Sequence, residues 1–324
     1  MVYATIIIFD FNRPHFVKNA INSIKEDLYG LEIELVLIKS YKDIHIEEFL
    51  NKNKVRYIDL LKEKLQSDYI KTAINIASGE IIIFMDDDDL FYPEKIRHII
   101  NIFQSHKNLG YYHNNFDTIN DLGENILNKN FKTPKFKNLY LKNSERLKFF
   151  QRNKNIKLLL KIRPDFNSSS ISVRKNLVHN SNIHVNFNDR VDSFMFALAL
   201  LSSMDIFVDN RILTHYRIHE DNGSVSLTSN IIELRQIFTK TYSSGIAVFS
   251  IIESIMTGTI YEKYIKLRLI NLKLGYNFWS LDRTFKIKKQ DIFMILKIDF
   301  IHEFEYIVLS VMPRVIKLKL MKRL

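Results

Sequence analysis

The chain has 324 residues, 46% of them hydrophobic and 26% charged, with a formal net charge of +11 and a pI near 9.4. That length and apolar content supply one large core or two smaller ones and exclude a disordered chain. Cysteine is absent, which excludes disulfides, thiolate metal sites and thiol nucleophiles, so any metal must use oxygen or imidazole ligands.

Residues 2 to 9, VYATIIIF, form an apolar run rich in β-branched residues and predict a strand. Helical spacing follows Pro14 at Phe16, Val17, Ala20, Ile21 and Ile24. The alternation repeats as a strand over Ile33 to Ile38, a helix over Ile44 to Leu50 and a short strand over Val55 to Ile58. A helix over Asp68 to Ala77 stops at Gly79, and Glu80 to Met85 reads as a strand buried on both faces. Pro93 is expected just inside the next helix, with Ile96, Ile99, Ile100 and Phe103 on its apolar side. Strands alternating with helices predict a Rossmann-like, doubly wound and mainly parallel α/β sheet.

Beyond Gly110 come an apolar segment at Tyr111 to Asn115, a polar turn around Asn120 to Asn125 and a basic stretch expected to hold loops and helices. Residues 129 to 163 carry twelve Lys or Arg against the single Glu145, an excess equal to the whole chain's net charge. An anionic partner or a solvated basic face both suit that segment; nucleic acid does not, because no nucleic-acid module is recognisable. Ser168 to Val173 reads as strand, Asp192 to Leu201 as helix, and Ile206 to Val208 with Ile212 to Tyr216 as strands. From about Asn230 the pattern is helical to the end.

The apolar strand before Asp86, Asp87, Asp88 and Asp89 delivers four carboxylates to the carboxyl edge of a parallel sheet, where such sheets bind ligands. Hard oxygen ligands without Cys select Mg²⁺ or Mn²⁺. Strand alternation pairs Asp86 with Asp88 as the metal-facing set and sends Asp87 and Asp89 to the other side. An acidic surface turn capping the next helix is the alternative. The turn after the first strand, FDFNRP, has no glycine, which argues against P-loop, dinucleotide and sugar-nucleotidyltransferase chemistry. Leu90 stands where an aspartyl-phosphate phosphatase would carry Thr or Val.

Taken in order, IIIFDFNRPHFVKNAINSI, SGEIIIFMDDDDLFYPEKI, NSSSISVRK, VDSFMFALAL and HYRIHEDN resemble the family 2 glycosyltransferases of GT-A fold, over about residues 4 to 224. The resemblance implies a GT-A domain over 1–229, with a donor half over 1–110 and an acceptor half over 111–229, followed by a helical region over 230–324. It implies an inverting transferase that moves a sugar from a nucleoside-diphosphate sugar to a hydroxyl of a lipid-linked or polysaccharide acceptor. The alternative is a homologue that binds nucleotide-sugar, or acts as a scaffold, without turnover. Asp192 matches the catalytic base; Asp86 and Asp88, with the imidazole of His219, match the Mg²⁺ or Mn²⁺ site; Asp10, Asn12, Arg13, Lys71, Asp87 and Arg217 fall at nucleotide-sugar-binding positions. Ser168 to Ser170 could contact donor or acceptor, and small polar loop residues need no function.

Some positions depart from the family pattern. Lys39 and Ser40 replace an acidic pair that holds base and ribose, Ile70 to Ala73 replace an Arg-Asn-x-Gly segment, and Val191 replaces an acid before Asp192.

The sequence has no apolar run of the roughly 18 residues a spanning helix needs and no signal-like start. The expected location is the cytoplasm, with peripheral contact at the cytoplasmic face of an anionic membrane through the basic, apolar tail FIHEFEYIVLSVMPRVIKLKLMKRL. Packing of that region on the core, or on a second protomer in a homo-oligomer, is the other use of the same residues.

Overall fold

In a computed structural model, residues 3–60, 66–126, 136–179, 189–219, 230–282, 284–297 and 317 are described. In chain order the elements are β1 (Ala4–Asp10), α1 (Pro14–Ile24), β2 (Ile33–Lys39), α2 (Ile44–Lys52), β3 (Arg56–Asp59), α3 (Gln66–Ile76), β4 (Ile81–Asp86), β5 (Leu90–Phe91), α4 (Lys95–Ser105), β6 (Leu109–Ile119) and β7 (Leu139–Leu141). The order continues with α5 (Arg146–Phe150), α6 (Asn153–Ile162), β8 (Ile171–Arg174), α7 (Lys175–His179), α8 (Val191–Leu201), β9 (Asp205–Arg217), α9 (Ile231–Met256), α10 (Glu262–Trp279) and α11 (Lys289–Leu296). The chain divides into two compact units. One comprises Met1–Asn143 with Pro164–Arg217, and the other Ser144–Arg163 with Ile218–Leu324. The domain boundary expected at 229 falls beside residues 220–229, which lie outside the described residues.

The first unit is a nine-stranded sheet in the order β3-β2-β1-β4-β8-β6-β9-β5, with β7 on β9. Strands β3, β2, β1 and β4 run parallel, as the alternation of strand and helix predicts. Every residue of β1 is buried, so the strand is covered on both faces and needs no polar alternation. Helix α1 starts with Pro14 and buries Phe16, Val17, Ala20, Ile21 and Ile24, the set its spacing predicts. Asp43 caps α2 by accepting from the N–H groups of His45 and Ile46.

Strand β8 enters antiparallel between β4 and β6, and β6 pairs in parallel with β9. The two strands expected at 206–208 and 212–216 are one strand, β9, because its register against β6 absorbs irregularities at His113/Asn115 and Asn115/Phe116 rather than breaking. Ser168 to Ser170 form a 3₁₀ turn, and the strand starts only at Ile171. Pro93 lies before α4 instead of inside it. Glu94 holds a left-handed φ of 65°, and Asp27, from the turn after α1, accepts from the N–H groups of Glu94 (2.6 Å) and Ile96 (3.2 Å), which supplies the missing cap.

Gly79 precedes β4 and has no room for a side chain. A Cβ there would sit 2.5 Å from Ala4 C and Thr5 N, both backbone atoms of β1. Gly79→Ala is expected to cost about 1–3 kcal/mol by overpacking, read as a lower urea midpoint at constant slope.

The second unit is helical among its described residues. Helix α6 buries Ile156, Leu159 and Ile162 and leaves Arg152, Lys154 and Lys161 exposed around it. Helices α9 and α10 bring Phe238 and Trp279 into a stacked pair at 4.5 Å. No helix among the described residues is long and apolar enough to cross a membrane. The tail expected to lie on a membrane is outside the described residues except for Lys317. That residue is buried and donates to the carbonyl of Asn277, so this one cation serves packing and does not face lipid.

Candidate active site

The parallel strands end side by side, with Asp10 opposite Lys39 and Phe9 opposite Asp86. Their carboxyl ends therefore bring Asp10 and the four aspartates to one edge of the sheet. Asp10 is buried and organises the first turn. Its Oδ1 accepts from the N–H groups of Asn12 (3.1 Å) and Arg13 (3.3 Å), and its Oδ2 accepts from the Tyr41 hydroxyl at 2.6 Å. Burial and the Asp10 carboxylate push the Tyr41 phenol up, so it stays a donor. Asn12 is exposed with φ at 69°, a left-handed position that Asn tolerates.

Arg13, expected to meet a nucleotide, turns onto the aspartates. Its Nε donates to Asp87 Oδ2 (3.2 Å), its Nη2 pairs with Asp87 Oδ1 and its Nη1 with Asp88 Oδ2. Asp87 also accepts from the Phe11 N–H at 3.2 Å. Asp87, fully buried, thus faces the partly buried guanidinium in a pair that neutralises part of the cluster.

The strand alternation used to pair these residues stops at Asp86. Asp87 and Asp88 form a turn, and the Asp89 N–H reaches back to the Asp86 carbonyl at 3.4 Å. Period-two alternation applies only to extended backbone. Asp89 therefore joins Asp86 and Asp88 in one group whose carboxylate oxygens lie within 4.8 Å of one another. Burial first, then the Asp88 charge, pushes the Asp86 carboxyl up to about 7. The same two causes, in the same order, raise Asp87 and Asp89 well above the carboxylate range.

Arg217 is buried and holds backbone. Its Nε donates to the Asp88 carbonyl (2.6 Å), its Nη1 donates to the carbonyls of Asn120 (2.7 Å) and Asp121 (2.8 Å), and its own N–H donates to Asp89 Oδ1 at 2.9 Å. The guanidinium lies 4.7 Å from the centre of the Phe16 ring. It fixes the aspartate turn from behind. Lys71 is exposed on α3, and no contact among the described residues joins it to the aspartates. His219 is buried and falls in the second unit.

Asp192 opens α8. Its Oδ1 accepts from Ser193 N–H (2.7 Å) and its Oδ2 from Asn167 N–H (3.1 Å). Burial pushes its carboxyl up to about 6, against the opposing charge of Arg190. Its own charge in turn raises Asp86. The two carboxylates, over a hundred positions apart in sequence, therefore share one electrostatic neighbourhood.

Lys39, which stands where an acid was expected, pairs with Asp59 (2.5 Å) on β3 and with Glu47 (2.9 Å) on α2, and donates to the Tyr41 carbonyl. It ties β2, β3 and the Tyr41 loop together. Sequence reasoning missed Tyr41 and Lys95. Lys95 is fully buried at the start of α4, donating to the Ser169 carbonyl (2.6 Å) and Thr214 Oγ1 (2.7 Å).

The profile of Glycosyl transferase family 2 matches residues 5–171. The chain belongs to this family. An uncharacterized glycosyltransferase of Nostoc sp. is 24% identical over 114 residues, a match covering 34% of this chain and 35% of that protein. The chain thus spans about a third of that curated relative's length. Among solved structures, S. aureus TarS 1-349 in complex with UDP-GlcNAc is similar with a TM-score of 0.55 at 14% identity, covering 95% of this chain and 81% of that one. The mannosyltransferase PcManGT from Pyrobaculum calidifontis, in complex with GDP-Man and Mn2+, gives 0.53 at 10% identity over 99% of this chain and 86% of its own. At these identities the likeness establishes the GT-A fold of this family 2 member.

Proposed function

We propose that this family 2 member is an inverting glycosyltransferase using a nucleoside-diphosphate sugar and an acceptor hydroxyl on a lipid-linked or polysaccharide substrate. The observation that carries the reading is the joining of Asp86 and Asp192 through one turn. Asn167 N–H bonds Asp192, and the adjacent Ser168 hydroxyl donates to the Asp86 carboxylate. A base and a diphosphate-facing carboxylate within one neighbourhood suit in-line displacement at an anomeric carbon.

Asp192, ionised above about pH 6, takes the proton of the acceptor hydroxyl as its oxygen attacks. Two backbone N–H groups hold the carboxylate in place, so its orientation does not depend on substrate. Attack from the face opposite the leaving diphosphate inverts the anomeric centre. The donor set fits a hard divalent cation, because its three clustered side chains offer only carboxylate oxygen and their mutual repulsion calls for positive charge. Asp86 and Asp88 would hold Mg²⁺ or Mn²⁺. When bound, the cation supplies Lewis-acid stabilisation of the departing diphosphate. Arg13 pairs with Asp87 and Asp88, and Arg217 fixes the turn that carries them. Asn12, Asp10 and Lys71 line the nucleotide side in this reading, within a transferase domain over 1–229.

The test is release of nucleoside diphosphate from a panel of donor sugars with Mn²⁺ present, against the same reactions with EDTA. Metal-dependent release above background supports transfer chemistry. No release with any donor would leave a nucleotide-sugar-binding protein without turnover.

Contact with an anionic membrane belongs to the same reading, supported by the exposed cations of the second unit. Lys148, Arg152, Lys154 and Lys161 are exposed on and beside α5 and α6. Each cation near an anionic surface contributes about 1 kcal/mol. Lys154→Gln with Lys161→Gln is therefore expected to weaken co-sedimentation with phosphatidylserine vesicles at least tenfold at low salt. Unchanged sedimentation removes these cations from membrane contact.

A further inference from the structure

The turn Asn167–Ser169 makes more bonds to the site than its three small side chains suggest. Ser169 is fully buried and its Oγ accepts the Asp86 N–H at 2.9 Å, which fixes the end of β4. Ser168 donates its hydroxyl to Asp86 Oδ2, which fixes the carboxylate's rotation. Asn167 N–H fixes Asp192 at 3.1 Å. The turn is rigid for reasons of its own. Asn167 sits at a φ of 68°, and its side-chain oxygen accepts from Ser169 N–H at 3.0 Å.

Lys95 closes the back of this device. It is fully buried and donates to two neutral oxygens, the Ser169 carbonyl and Thr214 Oγ1, with the Phe91 ring centre 3.4 Å from Nζ. Thr214 Oγ1 also lies 3.3 Å from the same carbonyl. A lysine taken wholly out of water is costly to fold, and an amine placed this way restrains one point, the Ser169 peptide. That point lies one residue from the hydroxyl on Asp86 and two from the N–H on Asp192.

We propose that Ser168 and Ser169, braced by Lys95, are positioning residues that hold the Asp86 carboxylate and the Asp192 carboxylate in a fixed relation to each other. The inference rests on the transferase reading, in which Asp86 is a cation ligand and Asp192 the base. Groups that orient a ligating carboxylate typically change metal affinity about 10–100-fold when removed.

The experiment titrates Mn²⁺ into donor-free protein, following the free ion by electron paramagnetic resonance, and measures kcat and donor KM for nucleoside-diphosphate release on the same samples. Ser168→Ala is expected to weaken Mn²⁺ binding about tenfold or more with an unchanged melting temperature, and Ser168→Thr, which restores the hydroxyl, to recover it. Lys95→Met is expected to lower kcat about tenfold or more while donor KM stays within about twofold, since remote support acts on the reacting geometry and not on donor binding. Wild-type Mn²⁺ affinity in Ser168→Ala overturns the role of the serine. A Lys95→Met protein that loses melting temperature yet keeps wild-type kcat overturns the brace. Wild-type protein that binds Mn²⁺ but releases no diphosphate sinks the transferase reading, and the Ser168 affinity comparison then still judges the turn. Release without any Mn²⁺ binding sinks the inference alone.

Discussion

Asp192→Asn is expected to lower kcat by about 10²- to 10⁴-fold while leaving the protein folded, because the amide keeps the volume and one of the two accepting oxygens but cannot take a proton. The check is steady-state diphosphate release with acceptor present, alongside melting temperature. The pH dependence follows from burial, which pushes the Asp192 carboxyl up to about 6. The base must be ionised, so kcat/KM falls as pH drops below about 6 and the variant loses that acid limb. The same raised values act on stability with the opposite sign. Asp86, pushed up to about 7, and Asp192 favour their neutral forms in the folded protein. Their contribution is fully present below the unfolded carboxyl value of 3.8 and is lost as pH rises through about 6 to 7. Metal-free protein should therefore lose stability from these two groups as pH rises from about 4 through that window, and change no further from them on its alkaline side.

Arg13→Met is expected to cost about 3–5 kcal/mol, the usual loss when one partner of a buried ion pair is removed. The Asp87 side chain is fully buried, and Arg13 meets it through two nitrogens while a third nitrogen meets Asp88. Urea unfolding should show the loss as a lower midpoint with the slope retained. Arg13→Met combined with Asp87→Asn keeps an acceptor for the Phe11 N–H and removes the stranded carboxyl group. That pair of changes should recover most of the loss. If the double variant is as unstable as the single one, the guanidinium stabilises by packing and not by charge.

The parts of the fold visible in the sequence were those with strong local periodicity. Strand β4 and helix α1 announce themselves by an unbroken apolar run and by 3.6-residue spacing. Strands β5 and β7, two and three residues long, carry no period at all, and pairing with β9 alone defines them. The aspartate run was legible as a site, because four carboxylates after a buried strand have few structural uses. Which of them cluster was not legible, since a turn at Asp87 cancels alternation. Lys95 was hidden for a different reason. A lysine at a helix start reads as solvated, and only the arrival of Ser169 and Thr214 from distant sequence shows it buried. Lys39 looked like a departure from the family pattern until Asp59, beside it on β3, accounted for it.

The placement of β8 has a consequence for biosynthesis. Strand β4 is buried along nearly its whole length, with β1 on one side and β8 on the other, and β8 is made only after residue 170. Until then a nascent chain holds an apolar strand with one row of unpaired N–H and C=O groups, the kind of edge that recruits other chains. The ribosome must deliver β8 before β4 is safe from aggregation. A fragment cut at the family boundary, residue 171, omits almost all of that closing strand.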